Sequence, residues 1–206
     1  MKFTDDLIQD QEYCREIFPK VQVVLHHSAS ESVRYLGDWW KAQKGKIATA
    51  YAIEGDGSVF RYFAPCYWAY HTGNGEMYDR FNIGIELANV GYLRKSIING
   101  VSKYFWEAPG VPGGKEYKGE VITLKSDWRG FMHFAAYERR QVIAAGELVK
   151  ELCRNFGISM EVNKSLKFDR AFLPSAGIVS HHNVNPGKYD PTPAFDYRLF
   201  EEVLNG

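Results

Sequence analysis

A short apolar run near the N-terminus constrains the fold more than any other feature of this sequence. Residues 21–27 read Val-Gln-Val-Val-Leu-His-His, and most of them are β-branched or otherwise apolar. An almost continuous apolar run of this length is typical of a strand that is buried on both faces of a sheet. The run therefore predicts an α/β fold, and it places His26 and His27 at the C-terminal end of a core strand.

The composition is that of an ordinary globular protein. The chain has 206 residues, of which 45% are hydrophobic and 24% are charged, which is enough for one sizeable core and predicts a single domain. The chain has 25 basic residues (Lys and Arg) and 25 acidic residues (Asp and Glu), so its formal net charge is zero. The charge therefore gives no reason to expect binding to nucleic acid or to an anionic membrane. The aromatic content of 15% suits a surface that stacks on sugars or peptides, and it equally suits a core.

Residues 1–20 are predicted to form a polar N-terminal arm, with a short helix over 10–17 that ends before Pro19. The arm has no apolar segment of the kind found in signal peptides, and no run in the chain reaches the roughly 18 apolar residues of a membrane span. We therefore expect synthesis in the cytoplasm without a signal peptide. Three widely spaced cysteines, without a CxxC pair, predict reduced thiols rather than a disulfide framework: Cys14, Cys66 and Cys153.

Hydrophobic periodicity predicts the other regular elements. The expected strands and helices are a helix over 32–42, a hairpin of strands 47–53 and 58–63, a strand over 82–88, a long helix over 135–156 closed by Gly157, a strand ending at 179 and a terminal helix over 194–204.

Residues 91–131 interrupt this pattern with many glycines and prolines. We predict an irregular excursion with one hairpin over 115–124, because its apolar content is too small for a second core. The predicted organisation is thus an arm over 1–20 and one domain over 21–206, in which the excursion could wall a cleft.

Glu86 lies in the middle of an apolar strand. Alternation places it on the same face as Asn82 and Gly84. A carboxylate there is costly unless it is paired, lies near a metal or opens into a cleft. Glu86 is therefore either a functional residue or one partner of a structural salt bridge.

The segment over residues 180–193 concentrates polar side chains in a loop rich in Pro, Gly and Asn. It carries two adjacent histidines, Lys188 and Asp190, directly after a predicted strand, where chemistry is often found. A catalytic zinc usually takes three protein ligands, so a metal site here needs a residue from elsewhere. His26 and His27 are candidates, although a buried histidine is more often a hydrogen-bonded core residue.

In combination, these segments resemble the type 2 N-acetylmuramoyl-L-alanine amidases, which share a fold with peptidoglycan recognition proteins and phage amidase lysozymes. The motifs occur in the family's order and span about residues 21–204: residues 23–30, the hairpin around 56–57, Tyr-His-Thr-Gly at 70–73, residues 82–87 and residues 180–191. The resemblance implies a single catalytic domain with a central mixed β-sheet flanked by helices.

The resemblance also implies roles for individual residues. His26, His181 and Asp190 correspond to the ligands of one Zn²⁺. Glu86 corresponds to the carboxylate that takes a proton from the attacking water, and Lys188 to the lysine that stabilises the charge on the carbonyl oxygen.

Four further residues have less defined roles. His71 corresponds to a recurrent cleft histidine, and we expect His71 and Trp68 to contact substrate. The alternative interpretation is that this aromatic stretch is an ordinary surface loop. His27 and His182 are left as supporting or structural residues.

The function implied by this resemblance is zinc-dependent hydrolysis of the amide between N-acetylmuramic acid and L-alanine. The first expectation is a monomeric phage or prophage endolysin that acts on peptidoglycan after release from the cytoplasm. A cytoplasmic amidase that recycles anhydromuropeptides is the close alternative. A binding module that recognises peptidoglycan without cutting it is a third possibility, which the presence of Asp190, Glu86 and Lys188 argues against.

Overall fold

A six-stranded mixed sheet forms the centre of the computed structural model, which describes residues 2–43, 45–173 and 175–206. The strands are β1 (Thr4–Asp5), β2 (Gln22–His27), β3 (Tyr51–Ile53), β4 (Val59–Arg61), β5 (Asn82–Leu87), β6 (Tyr92–Ile98), β7 (Val101–Trp106), β8 (Lys115–Tyr117), β9 (Val121–Trp128), β10 (Phe131–Ala135) and β11 (Gly177–Ser180). The α-helices are α1 (Leu36–Ala42), α2 (Glu76–Asp79), α3 (Arg139–Phe156), α4 (His181–Val184) and α5 (Tyr197–Asn205). The central sheet has the order β1-β4-β3-β5-β2-β11.

Strand β2 is the predicted core strand, and the structure confirms that it is buried. It runs parallel to β5 on one side and to β11 on the other, so the C-terminal ends of all three strands meet at one edge. Val23 and Leu25 point into the main core, and Val24 points into a smaller cluster on the opposite face. His26 is therefore on the face of Val24, and its Cα pairs with that of Glu86 on β5.

Helices cover both faces of this sheet, as the fold prediction requires. Helix α3 buries its apolar stripe in the main core together with α5, while Tyr78 of α2 and Val184 of α4 pack on the other face. The long helix begins at Arg139 rather than at 135, because Ala135 is the last residue of β10 and residues 136–138 connect the strand to the helix. It ends as predicted at Gly157, whose φ of 68° is the left-handed conformation typical of a helix terminus.

Residues 91–131 are regular, so the prediction of an irregular excursion is wrong. Strands β6 to β10 form a five-stranded antiparallel sheet of order β8-β7-β6-β10-β9, which we call the inserted sheet. The predicted hairpin over 115–124 is also wrong, because β8 pairs with β7 and β9 pairs with β10. The glycines that suggested irregularity include turn residues with positive φ, Gly100 and Gly130. A small cluster around Leu93 and Trp106 supplies the sheet's own packing.

The N-terminal residues are attached to the domain. Strand β1 runs parallel to β4, and Ile8 and Tyr13 are buried in the main core. The helix predicted over 10–17 is only a 3₁₀ turn, Asp10–Glu12. All three cysteines are free thiols, and within the described residues no helix is long and apolar enough to span a membrane.

Gly146 determines how closely α3 and α5 approach. A methyl group at this position would lie 2.8 Å from Cβ and Cγ1 of Val203. We expect Gly146→Ala to lower the free energy of unfolding by about 1–3 kcal/mol through overpacking, although alanine is the better helix former. Urea denaturation measures the change. Adding Val203→Ala should restore part of the loss, whereas a stabilised Gly146→Ala single variant would contradict this account.

Candidate active site

Three side chains from separate parts of the chain meet at the C-terminal edge of the central sheet. Nδ1 of His26 lies 2.8 Å from Nδ1 of His181, and Oδ2 of Asp190 lies 3.0 Å from Nδ1 of His181 and 3.4 Å from Nδ1 of His26. All three residues are buried, and their ligand atoms lie within 4.8 Å of one another. The structure therefore brings together the three residues that the family resemblance implies as metal ligands.

The local structure explains how these residues reach the site. His26 is near the end of β2, and His181 begins α4 directly after β11, which is the parallel neighbour of β2. Ser180 and Asn183 form a capping box that fixes the start of this short helix. The loop that follows is closed by a hydrogen bond from the backbone N–H of His182 to the carbonyl oxygen of Asp190, 3.0 Å long.

The protonation states of the group suit a metal ion. Burial and the neighbouring His181 lower the pKa of His26 to about 4, against the opposing effect of Asp190. Burial alone would raise the pKa of Asp190, but His181 and the hydrogen bonds from both histidines hold it well below its usual range. A neutral imidazole and an ionised carboxylate are the forms that bind metals. Two imidazole nitrogens and one carboxylate oxygen match the ligand set of a catalytic zinc site.

The adjacent histidines point elsewhere. Nδ1 of His27 lies 2.9 Å from the hydroxyl of Tyr137, and the backbone N–H of His27 donates to Oδ2 of Asp190 over 3.3 Å. Tyr137 also accepts a hydrogen bond from the backbone N–H of Thr192 over 3.1 Å. His182 is buried with Nε2 at 3.1 Å from the carbonyl oxygen of Ser165. His27 thus supports the segment that carries Asp190, while His182 is tied to the loop around Ser165.

His71 lies against the group of His26, His181 and Asp190 rather than at an exposed loop tip. Its Nδ1 is 2.9 Å from Nε2 of His26, and its Nε2 is 3.9 Å from Oδ1 of the fully buried Asp79. Gly84 makes room for the ring, since a Cβ there would be 2.9 Å from Nδ1 of His71. Burial raises the pKa of Asp79 to about 6. Asp79 was missed by the sequence analysis, because a polar residue in a short loop helix gives no sign of burial.

Glu86, on β5, lines the same site. Its Oε2 atom is buried and has no hydrogen-bond partner within the described residues, which argues against the structural salt bridge. Burial and the charge of Asp190 raise the pKa of Glu86 to about 8, while Lys188 acts in the opposite direction. The carboxylate is therefore held ready to exchange a proton near neutral pH.

A cleft of about 370 Å³ connects these groups to the surface. Glu86, His71 and the group of His26, His181 and Asp190 line it, and Lys188 lies exposed at its rim. Its walls also contain aromatic and small residues: Ala29, Trp39, Trp40, Ile47, Ala48, Thr49, Tyr70, Tyr92 and Tyr189.

Trp68 is not among the residues that line the cleft, so the prediction that it contacts substrate is corrected. Trp68 is only 3% exposed, and its backbone pairs with that of Cys14 in an antiparallel bridge. Tyr70 reaches the cleft instead. Tyr92 and Tyr189 were missed, since only the tertiary structure brings the inserted sheet to this wall.

Tyr137 is expected to be important for the stability of the site. Tyr137→Phe removes the hydroxyl that accepts from Thr192 and contacts His27, and it leaves two buried polar groups unpaired. We expect a loss of about 1–3 kcal/mol in the free energy of unfolding, measured by chemical denaturation. Tyr35→Phe, at a residue that is 76% exposed, is the control and should change little. Equal stability of Tyr137→Phe and the wild type would contradict this role.

Known proteins share this arrangement of elements. A mutant endolysin from Bacillus subtilis superposes with a TM-score of 0.58 at 13% identity, covering 98% of each chain. A selenomethionine derivative of AmpD gives 0.56 at 16% identity, covering 98% of this chain and 94% of the other. The N-acetylmuramoyl-L-alanine amidase LysC from Clostridium intestinale gives 0.56 at 11% identity, covering 100% and 98%. At these identities the likeness is one of fold.

A family comparison extends the likeness to the sequence. A search of curated protein sequences gives no significant match. The family model described as N-acetylmuramoyl-L-alanine amidase matches residues 19–193, which include all the residues that line the cleft. The chain therefore belongs to the N-acetylmuramoyl-L-alanine amidase family.

Proposed function

We propose that this protein is a zinc-dependent amidase that hydrolyses the bond between the lactyl group of N-acetylmuramic acid and the L-alanine of the peptidoglycan stem peptide. The observation that carries the proposal is the buried group of His26, His181 and Asp190 in a cleft that also holds Glu86, whose Oε2 has no partner in the described part of the chain. Family membership supplies the substrate class.

The metal-binding group fits zinc in ligand type and in number. When bound, Zn²⁺ would lower the pKa of a coordinated water and polarise the carbonyl of the scissile amide. His26, His181 and Asp190 would hold it, with the cleft on the open side. His71 and the backbone N–H of His27 contact these residues and would keep them oriented.

Glu86 is proposed as the general base. Its carboxylate has no competing hydrogen bond at Oε2 and faces the cleft. A pKa raised to about 8 allows the group to accept a proton from water and return it to the departing amine. A cation held by the neighbouring residues would favour the ionised form that accepts the proton.

Lys188 is proposed to stabilise the negative charge that develops on the carbonyl oxygen. It lies exposed at the rim of the cleft, two residues before Asp190. A fixed positive charge contributes most when bound substrate excludes water from the site.

The endolysin role remains our first choice over soluble muropeptide recycling. The cleft is open at its rim, where Trp39 and Ile47 are 52% and 44% exposed, and such a rim suits a polymeric substrate. Rates on intact sacculi and on soluble anhydromuropeptides separate the two roles. Activity confined to the soluble fragments would favour recycling.

Substitutions in the site separate metal binding from turnover. We expect His26→Ala and Asp190→Ala to lose zinc and activity together, and Glu86→Gln to retain zinc while kcat falls by at least about 100-fold. Zinc content is measured by elemental analysis, and products by mass spectrometry of digested peptidoglycan. His133→Ala, on the inserted sheet, is the histidine control. Zinc-replete, fully active His26→Ala would overturn the ligand assignment.

Zinc is also expected to stabilise the fold. At about 100 times its dissociation constant, a ligand of the native state adds about 2.7 kcal/mol, which corresponds to roughly 5–10 °C in Tm for a chain of this size. Thermal unfolding with chelator and with added zinc measures the shift. Glu86→Gln should show the same shift and Asp190→Ala none. A shift retained in Asp190→Ala would place the metal elsewhere.

The measurements of zinc content and of digestion products also test the alternative that the protein is a binding module. A protein that binds muropeptides but carries no zinc and releases no L-alanine amino groups would be a recognition module. The unpaired Glu86 carboxylate in the cleft is the feature that favours hydrolysis.

A further inference from the structure

Arg129 connects the inserted sheet to the loop that carries two of the proposed active-site residues. Its Nη1 donates to the carbonyl oxygen of Pro186 over 2.6 Å and to that of Lys188 over 2.7 Å. Its guanidinium also lies over the rings of Trp128 and Tyr189, at 5.1 and 5.3 Å from their centroids. These contacts join two parts of the chain that are about sixty residues apart.

The exposed part of the 186–190 loop, residues 186–188, has little other support, whereas Asp190 at its end is buried and bonded to His181 and His182. Pro186, Gly187 and Lys188 are exposed. Within the described residues, its backbone N–H groups bond mainly to Asn185, over 3.2 Å from Lys188 and 3.0 Å from Gly187. An exposed segment with few internal hydrogen bonds is expected to open locally at low free-energy cost.

The ring of Tyr189 extends the attachment. Its centroid lies 6.0 to 6.1 Å from the ring centroids of Tyr92, Trp128 and Phe131, all of which belong to the inserted sheet. Tyr92 and Tyr189 both line the cleft. The sheet therefore packs against the side of the loop that borders the proposed site.

The local backbone does not explain why arginine occupies this position. Arg129 and Gly130 form the two-residue turn between β9 and β10, with φ of 54° and 86°. Positive φ at both positions is the pattern of a type I′ turn, for which Asn-Gly is the favoured pair. An arginine in this conformation is uncommon and is less suited to the turn than asparagine. Its contacts with the 186–190 loop supply a reason for it.

We propose that Arg129 is a positioning residue that holds the 186–190 loop against the inserted sheet, so that Lys188 and Asp190 keep their places in the site. Arginine suits this task because one planar guanidinium can donate to both carbonyls while it stacks on aromatic rings. The catalytic part of this inference rests on the proposed amidase function, whereas the attachment of the loop does not.

Arg129→Asn is the sharpest test, because asparagine tolerates the turn conformation and lacks the guanidinium. We expect faster amide hydrogen exchange at residues 187–190 and, in zinc-saturated enzyme, a fall in kcat of about 10- to 100-fold with a smaller change in KM. Arg129→Lys keeps the charge without the planar stacking group and should recover part of both effects. Lys125→Ala, an exposed lysine on β9, is the matched control and should behave as the wild type.

A double-mutant cycle links Arg129 to Lys188. If the arginine acts through the loop, Arg129→Asn should cost much less kcat in a Lys188→Ala background than in the wild type.

The hydrogen-exchange and kinetic results for Arg129→Asn together support or overturn the proposal. Unchanged exchange at 187–190 in Arg129→Asn would overturn it whatever the activity, and faster exchange with unchanged kcat would overturn the positioning role. A wild-type protein without amidase activity would contradict the proposed function instead, and the exchange measurements would still judge the attachment of the loop.

Discussion

The site depends on the meeting of three parallel strand ends. Strands β2, β5 and β11 lie side by side, so His26, Glu86 and His181 emerge at one edge of the sheet with Asp190 beside them. Burying a carboxylate and two imidazoles is costly unless they stabilise one another or hold an ion. The pKa of His26 is lowered and that of Asp190 is held low, so His26 offers a neutral nitrogen and Asp190 a charged oxygen to a cation.

Two sets of surrounding residues hold this group of side chains in place. Close to the group, Tyr137, His27 and His71 contact the proposed ligands or the segment that carries Asp190. Further out, the inserted sheet forms one wall of the cleft through Tyr92 and contacts the 186–190 loop through Arg129. The central sheet thus fixes residues on strands, and the inserted sheet fixes a loop that has few hydrogen bonds of its own.

The errors of the sequence analysis have physical causes. Residues 91–131 were predicted to be irregular because glycine and proline mark turns, but closely spaced turns are also what an antiparallel sheet requires. Trp68 was expected in the cleft because it neighbours Tyr70 and His71, yet it is buried and does not line the cleft. Arg129 gave no sequence signal because its partners are distant in the chain, and Asp79 gave none because nothing in the local pattern shows that it is buried.

The sequence by itself determined the α/β class, the buried strand β2, the strand that carries Glu86 and the candidate residues at 181–190. These features depend on local patterns, namely apolar runs and polar residues placed where strands end. Only the tertiary structure decided that Trp68 lies away from the cleft, that Glu86 has no partner at Oε2 among the described residues, and that the inserted sheet borders the cleft. Those outcomes depend on side-chain direction and on packing between distant segments, and neither is contained in a local pattern.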